Sequence, residues 1–149
     1  TAGGWNSIGS KGEIGVCGMT TIQSSSGDVE QFIRLTAESD GREIPVFMEQ
    51  EPGSAGVNIV DHYRKDVMPP YVFHGVPSTG SKEVRFAPFA GRAQNGDVWV
   101  VQGPWVPSWF DEMEAFPDVR FKDDQVDATS GGYLALFSKK AGRPAVRVM

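Results

Sequence analysis

Of the 19 acidic side chains in this 149-residue chain, two clusters are spaced to do chemistry. Glu49 and Glu51 stand where the apolar run Ile44-Pro-Val-Phe-Met48 breaks into the turn Pro52-Gly-Ser-Ala-Gly56, the kind of strand end at which α/β sheets place functional groups. Asp123, Asp124 and Asp127 open a helical segment, and spacings of i+3 and i+4 put Asp127 on the face of Asp124 and Asp123. Taken singly, each cluster has a plain structural explanation. Acids at a helix start cap its free N–H groups and complement its dipole, and a glutamate at a strand end simply faces water. Together they offer oxygen ligands of the type that Mg2+ or Mn2+ requires. Two such ions can activate water and steady the leaving oxygen in phosphodiester hydrolysis.

These residues depend on an alternating scaffold. Ile14 to Ile22 is apolar and β-branched enough for a short strand, weakened by two glycines. Val29, Phe32, Ile33, Thr36 and Ala37 form the stripe of an amphipathic helix that stops at Asp40-Gly41. Ile44–Met48 is a buried strand, 57–66 a helix, and Tyr71–His74 a further strand. Val84–Gln94 reads as a helix, with Pro88 predicting a late start or a kink. Val98–Val101 is a strand and Pro107–Phe116 a short helix. The last helix runs from about Asp123 to Phe137, with Val126, Tyr133, Leu134 and Phe137 inward. Strands alternating with helices imply an α/β domain of three layers around a sheet. Residues 1–12, small, polar and Gly-rich, read as a linker or an expression remnant, 13–137 as the domain, and 138–149 as a loosely held basic tail. No internal repeat is present.

Composition sets outer limits. The length fits one domain with a real core, and 40% hydrophobic with 22% charged residues is globular rather than disordered. A formal charge of −5 gives no general affinity for DNA, which needs basic residues gathered on one face. Cys17 is the only cysteine, which excludes an internal disulfide and a thiolate zinc site and suits a reducing cytoplasm. No apolar run reaches the ~18–20 residues of a membrane span. No Gly-x-x-x-x-Gly-Lys-Ser/Thr phosphate loop occurs, so an ATPase is not expected here.

Five blocks in order carry a family resemblance: Glu49-Gln-Glu-Pro-Gly-Ser-Ala-Gly56; Ser78-Thr-Gly-Ser-Lys82 with Arg85; Gly96-Asp-Val-Trp-Val100; Trp109-Phe-Asp-Glu-Met-Glu-Ala-Phe-Pro117; and Lys122-Asp-Asp-Gln-Val-Asp-Ala128. From about Gly12 to Leu136 the chain resembles the C-terminal nuclease domain of the large terminase subunit of tailed phages. The resemblance implies an RNase H-like fold, a mixed sheet flanked by helices, and a Mg2+- or Mn2+-dependent endonuclease that cuts concatemeric double-stranded DNA. It implies Glu49, Asp123 and Asp124 as catalytic metal ligands, Asp127 as a more peripheral acid, and Lys82 and Arg85 as contacts to the DNA backbone. The partners it implies are DNA, the terminase ATPase domain, the small terminase subunit and the portal, in the cytoplasm of a bacterial host.

The match departs from the family at its first core strand, which normally carries an Asp in a Trp-Asp setting. Either Lys11–Val16 aligns with the third strand and the first two strands are absent, the preferred alignment, or Trp5-Asn6 takes the Trp-Asp position with Asn6 as a neutral replacement. In both cases the N-terminal part is shortened and a ligand charge is missing, which lowers metal affinity. Absent strands would leave edges that a complementing chain or a homodimer could fill. The competing functional reading is therefore a degenerate, non-cleaving module that binds DNA or docks on packaging partners. His62 and His74 read as structural or surface residues, Trp99, Trp105 and Trp109 as core, and Cys17 as a small buried hydrophobe. Ser54 carries no hydrolase signal alone.

Overall fold

The computed structural model describes residues 2–138 and 145–149. Strands β1 (Ala2–Ile8) and β2 (Ile14–Thr21) form an antiparallel hairpin. They are followed by α1 (Ser26–Asp40), β3 (Val46–Gln50), α2 (Ser54–His62), β4 (Phe73–Pro77), α3 (Lys82–Gln94), β5 (Val98–Val100), α4 (Val106–Ala115), α5 (Asp124–Leu136) and β6 (Ala145–Val148). A π-helical turn over Tyr63–Val67 prolongs α2. The periodic stripe of α1 buries Ile33 and Ala37, and its start is capped by Ser25, whose hydroxyl accepts from the Asp28 N–H. Helix α3 starts earlier than Pro88 suggests, at Lys82, because Ser81 accepts from the Val84 N–H and caps it there.

The six strands lie in the order β4-β3-β6-β1-β2-β5. β3 runs parallel to β4 and β6, β2 runs parallel to β5, and β1 is antiparallel to both of its neighbours. Side-chain alternation divides the core into two layers. Phe47, Val146, Val148, Ile14 and Val16 pack with Phe89, Trp109 and Leu136 of α3, α4 and α5. On the opposite face, Val46 and Phe73 pack with Ile33, Ala37, Val60 and Tyr63 of α1 and α2 and the turn after it. This is the three-layer arrangement expected from sequence.

Both ends of the chain correct the sequence reading. Residues 1–12 are not a linker: 2–8 form a strand inside the sheet. The glycines that made the segment look unstructured let methionines pack closely over the strand: a Cβ on Gly3 would meet the Met149 sulfur at 2.9 Å and one on Gly4 the Met19 methyl at 3.1 Å. The strand preceding Ile14 is therefore present. Nor is 145–148 a loose tail. It forms β6, inserted between β3 and β1 with Val146 and Val148 buried. The basic residues Lys139, Lys140 and Arg143 of that segment lie outside the described residues. The edges of the described sheet are β4 and β5, with β6 in its interior. In α5, Val126 is buried and Tyr133 partly so, but Leu134 and Phe137 are exposed. Gln125, Thr129, Ser130 and Gly132 occupy the inner face instead. Of the tryptophans only Trp109 is deeply buried; Trp99 is 41% exposed. Among the described residues no helix is long and apolar enough to cross a membrane.

Candidate nuclease site

The carboxyl ends of the parallel strands β3 and β4 and the amino ends of α3 and α5 bound one cleft. Its volume is about 390 Å³, and Glu49, Glu51, Ser78, Thr79, Arg85, Asp124 and Asp127 contribute its polar wall, with Met48, Val148 and Met149 among the apolar lining. Glu49 is the fourth residue of β3, opposite Val76 of β4, so the strand carries it toward the carboxyl end of the parallel pair. The turn after β3 then folds tightly against the start of α2. Gly56 has to be glycine, because a Cβ there would come within 2.0 Å of the Glu51 carbonyl oxygen. That close approach packs the backbone of Glu51 against the first turn of α2.

The acidic end of α5 is positioned from outside the helix. Asp123 occupies the capping position but makes no capping hydrogen bond. Glu112 of α4 caps instead: its carboxylate accepts from the Gln125 N–H at 2.5 Å, the Val126 N–H at 3.0 Å and the Gln125 side-chain amide at 2.9 Å. The plain capping explanation for Asp123 is thereby displaced, and its carboxylate turns to Lys82, whose Nζ lies 2.7 Å away. Sequence reasoning missed Glu112. It lies inside the Trp109–Pro117 block, but nothing local indicates that it caps a helix that begins twelve residues later.

Lys82 also reaches Asp127, at 2.6 Å. Arg85 lies 3.6 Å from both Asp127 and Glu49 and donates to the Gly80 carbonyl at 2.9 Å. Ser78 donates its hydroxyl to Glu49. The Lys82 amine is held above its ordinary pKa: burial pulls it down, and the bonds to Asp123 and Asp127 outweigh that pull. The two basic residues expected to face DNA thus bind the carboxylates expected to face metal.

Glu49, Asp124 and Asp127 meet in the cleft, whereas Asp123 lies on the far side of Lys82 in a smaller hollow shared with Glu83, Asp118 and Lys122. Asp127, expected at the periphery, is part of the cleft wall. Asn6 is not part of it: its amide is buried against α5, where a Cβ on Gly132 would come within 2.0 Å of Nδ2. Gly132 is eight residues along the helix from Asp124, roughly 12 Å at 1.5 Å per residue. The alternative alignment that made Asn6 a ligand replacement therefore does not place it with the acids. His62 sits at the surface between α1 and the turn after α2, and His74 packs its ring 5.2 Å from that of Phe47. Cys17 is half-buried with its sulfur 3.2 Å from the Ser7 hydroxyl, and Ser54 opens α2.

The donor set suits a hard cation. The cleft wall offers carboxylates and hydroxyls, with no imidazole or thiol among the described residues. Among those residues no group of three acids stands ready to hold one ion. The fit is therefore of the kind in which one or two carboxylates hold Mg2+, while water and substrate phosphate complete its shell.

The family model for the terminase RNase H-like domain matches residues 23–136, which include α1 to α5 and all the carboxylates of the site. β1, β2 and β6 lie outside that match. No curated protein and no solved structure matches the chain. With its mixed sheet, flanking helices and matched region, the chain has the RNase H-like fold and belongs to the terminase RNase H-like domain family.

Proposed function

We propose that this domain is a divalent-metal-dependent endonuclease of a viral DNA-packaging terminase, hydrolysing phosphodiester bonds of concatemeric double-stranded DNA. The observation that carries the reading is the meeting of Glu49 with Asp124 and Asp127 in one cleft, from blocks more than seventy residues apart in sequence. One or two carboxylates at a time, drawn from Glu49, Asp124 and Asp127, would hold Mg2+ or Mn2+, with water and phosphate completing the shell and Asp123 close by. The ion supplies Lewis acidity toward phosphate and water. The chain's own residues do the rest. Ser78 fixes the Glu49 carboxylate, Glu112 fixes the helix start that bears the aspartates, and Lys82 and Arg85 supply positive charge for the DNA backbone. By family, the working partners are double-stranded DNA, the ATPase domain, the small terminase subunit and the portal, in the cytoplasm of the bacterial host.

A second reading has its own observation. Neither strand beside β3 carries a carboxylate, β6 offering Ala145-Val-Arg-Val148 and β4 Phe73-His-Gly-Val-Pro77, so neither adds an acid next to Glu49. A degenerate module that binds DNA or packaging partners without cutting would tolerate that lack. Plasmid cleavage with Mn2+ or Mg2+ decides between the two. We expect nicking and linearisation that disappear with EDTA and in Glu49→Gln; a well-folded sample that leaves the plasmid intact with either metal would select the non-cleaving reading.

A further inference from the structure

Three carboxylates, Glu49, Asp123 and Asp127, pair with two cations that the chain itself provides, beside Asp124 of the cleft wall. Lys82 bridges Asp123 and Asp127 with contacts of 2.7 and 2.6 Å, and Arg85 stands between Asp127 and Glu49 at 3.6 Å from each. An ammonium and a divalent ion cannot share these oxygens without strong mutual repulsion. Lys82 therefore competes with any metal for Asp127, and neither Lys82 nor Arg85 can give its full charge to a phosphate while it neutralises acids.

The geometry allows exchange. Lys82 is the first residue of α3, and its side chain is 42% exposed, on a flexible stem that can swing its charge toward solvent. Ion pairs this open contribute little each, so replacing one partner by another is a small step.

We propose that Lys82 and Arg85 are resident counter-ions that a divalent cation displaces, and that on displacement they turn to the DNA backbone. The proposal rests on the metal-dependent reading above and adds its regulation. Metal and DNA then bind with positive coupling: each raises the affinity of the other by the same factor. A metal-free site keeps both cations on its own acids and holds DNA weakly. A site given both metal and duplex assembles in a single coupled step.

Mn2+ titration of the folded protein, followed by the electron paramagnetic resonance of free Mn2+, tests this without reference to cleavage. Lys82→Met should bind Mn2+ about fivefold more tightly than the unmodified chain, the equivalent of about 1 kcal/mol for the loss of solvent-open ion pairs. Lys82→Gln, which keeps a polar side chain, should show the same tightening, and circular dichroism would check that both fold. Fluorescence anisotropy of a short labelled duplex supplies the second arm, with Ca2+ in place of Mn2+ to keep the DNA intact. Ca2+ should strengthen duplex binding by the unmodified chain severalfold relative to EDTA, and this gain should shrink in Lys82→Met. Mn2+ binding of equal strength in the unmodified chain and both Lys82 variants would overturn the counter-ion exchange and leave the nuclease reading standing. Absence of Mn2+ binding in all three would overturn both.

Discussion

Two sets of ion pairs in this domain use the same chemistry for opposite ends. Arg147 of β6 holds Asp40, at the end of α1, through two charge-assisted hydrogen bonds of 2.6 and 2.8 Å, and its guanidinium lies 5.3 Å from the centre of the Trp5 ring. Both side chains are nearly closed off from water, at 11% and 6% exposure. Lys82, by contrast, reaches two aspartates while remaining open to solvent. The first arrangement is planar, bidentate and fixed, as a guanidinium permits. It fastens β6 to a helix over a hundred residues away in sequence. The second is a point charge among several acids and has room to leave. Burial, more than distance, separates a structural ion pair from an exchangeable one.

Breaking each pair should expose that difference, and the largest effect belongs to the buried one. Asp40→Asn leaves the Arg147 charge without its counter-ion inside the fold, a change that typically costs about 3–5 kcal/mol. Because Arg147 belongs to β6, the loss should include release of that strand from between β3 and β1. Lys82→Met should cost less than about 1 kcal/mol. Urea denaturation of both variants measures the comparison. Equal losses would mean that burial does not distinguish the two sets.

Glu112 stands between these extremes. It lies outside the cleft and forms no ion pair among the described residues, yet its carboxylate holds the amino end of the helix that presents Asp124 and Asp127. Glu112→Ala removes the cap and leaves the amides of Gln125 and Val126 without their acceptor, for a loss of about 1–2 kcal/mol. Hydrogen exchange at those two amides should quicken selectively, and Mn2+ affinity should fall with it. Glu112→Gln, which retains a carbonyl acceptor, should recover part of both. If Glu112→Ala lowers global stability but leaves Mn2+ affinity unchanged, the cap does not position the acids.

The residues that were legible in sequence explain this division. The stripe Val29, Phe32, Ile33, Thr36, Ala37 announced α1, and the apolar run ending at Met48 announced β3, shifted two residues toward its carboxyl end. Local patterning determined those elements, and the match over 23–136 covers them. The meeting of Glu49 with Asp124 followed from family order and spacing. What could not be read depends on contacts between distant segments. Gly3 and Gly4 look like linker residues until Met149 and Met19 are packed over them. Val146-Arg-Val148 has the alternation of a strand, but the polar, basic composition before it hid the signal, and the partner of Arg147 is at Asp40. Lys82 and Arg85 were identified as basic residues of the site, but sequence could not show that acids of the same site already hold them. Leu134 and Phe137 were placed inward by hydrophobicity alone. The inner face of α5 instead requires small and hydrogen-bonded residues, such as Gly132 against Asn6 and Thr129, whose hydroxyl receives the Trp109 indole N–H at 3.0 Å.

The smallest effect extends the comparison to a cluster that is open to water throughout. His62 bridges Glu30 of α1, at 2.8 Å, and Asp66, at 3.0 Å. The Glu30 contact, then the Asp66 contact, hold the imidazole pKa above its ordinary value of 6.5, against the opposing effect of burial. Because the folded pKa exceeds the unfolded one, the stabilising contribution is complete below pH 6.5 and is lost as pH rises through the higher folded value. His62→Gln should therefore differ from the unmodified chain in urea midpoint at mildly acidic pH, and the two should converge at alkaline pH. Salt should reduce the acidic difference, since solvent-exposed pairs are screened. It should leave the Asp40→Asn loss nearly unchanged. A His62→Gln difference that grows with pH would reverse the sign of the linkage, and one insensitive to salt would place His62 with the buried pair rather than beyond Lys82 at the exposed end of the series.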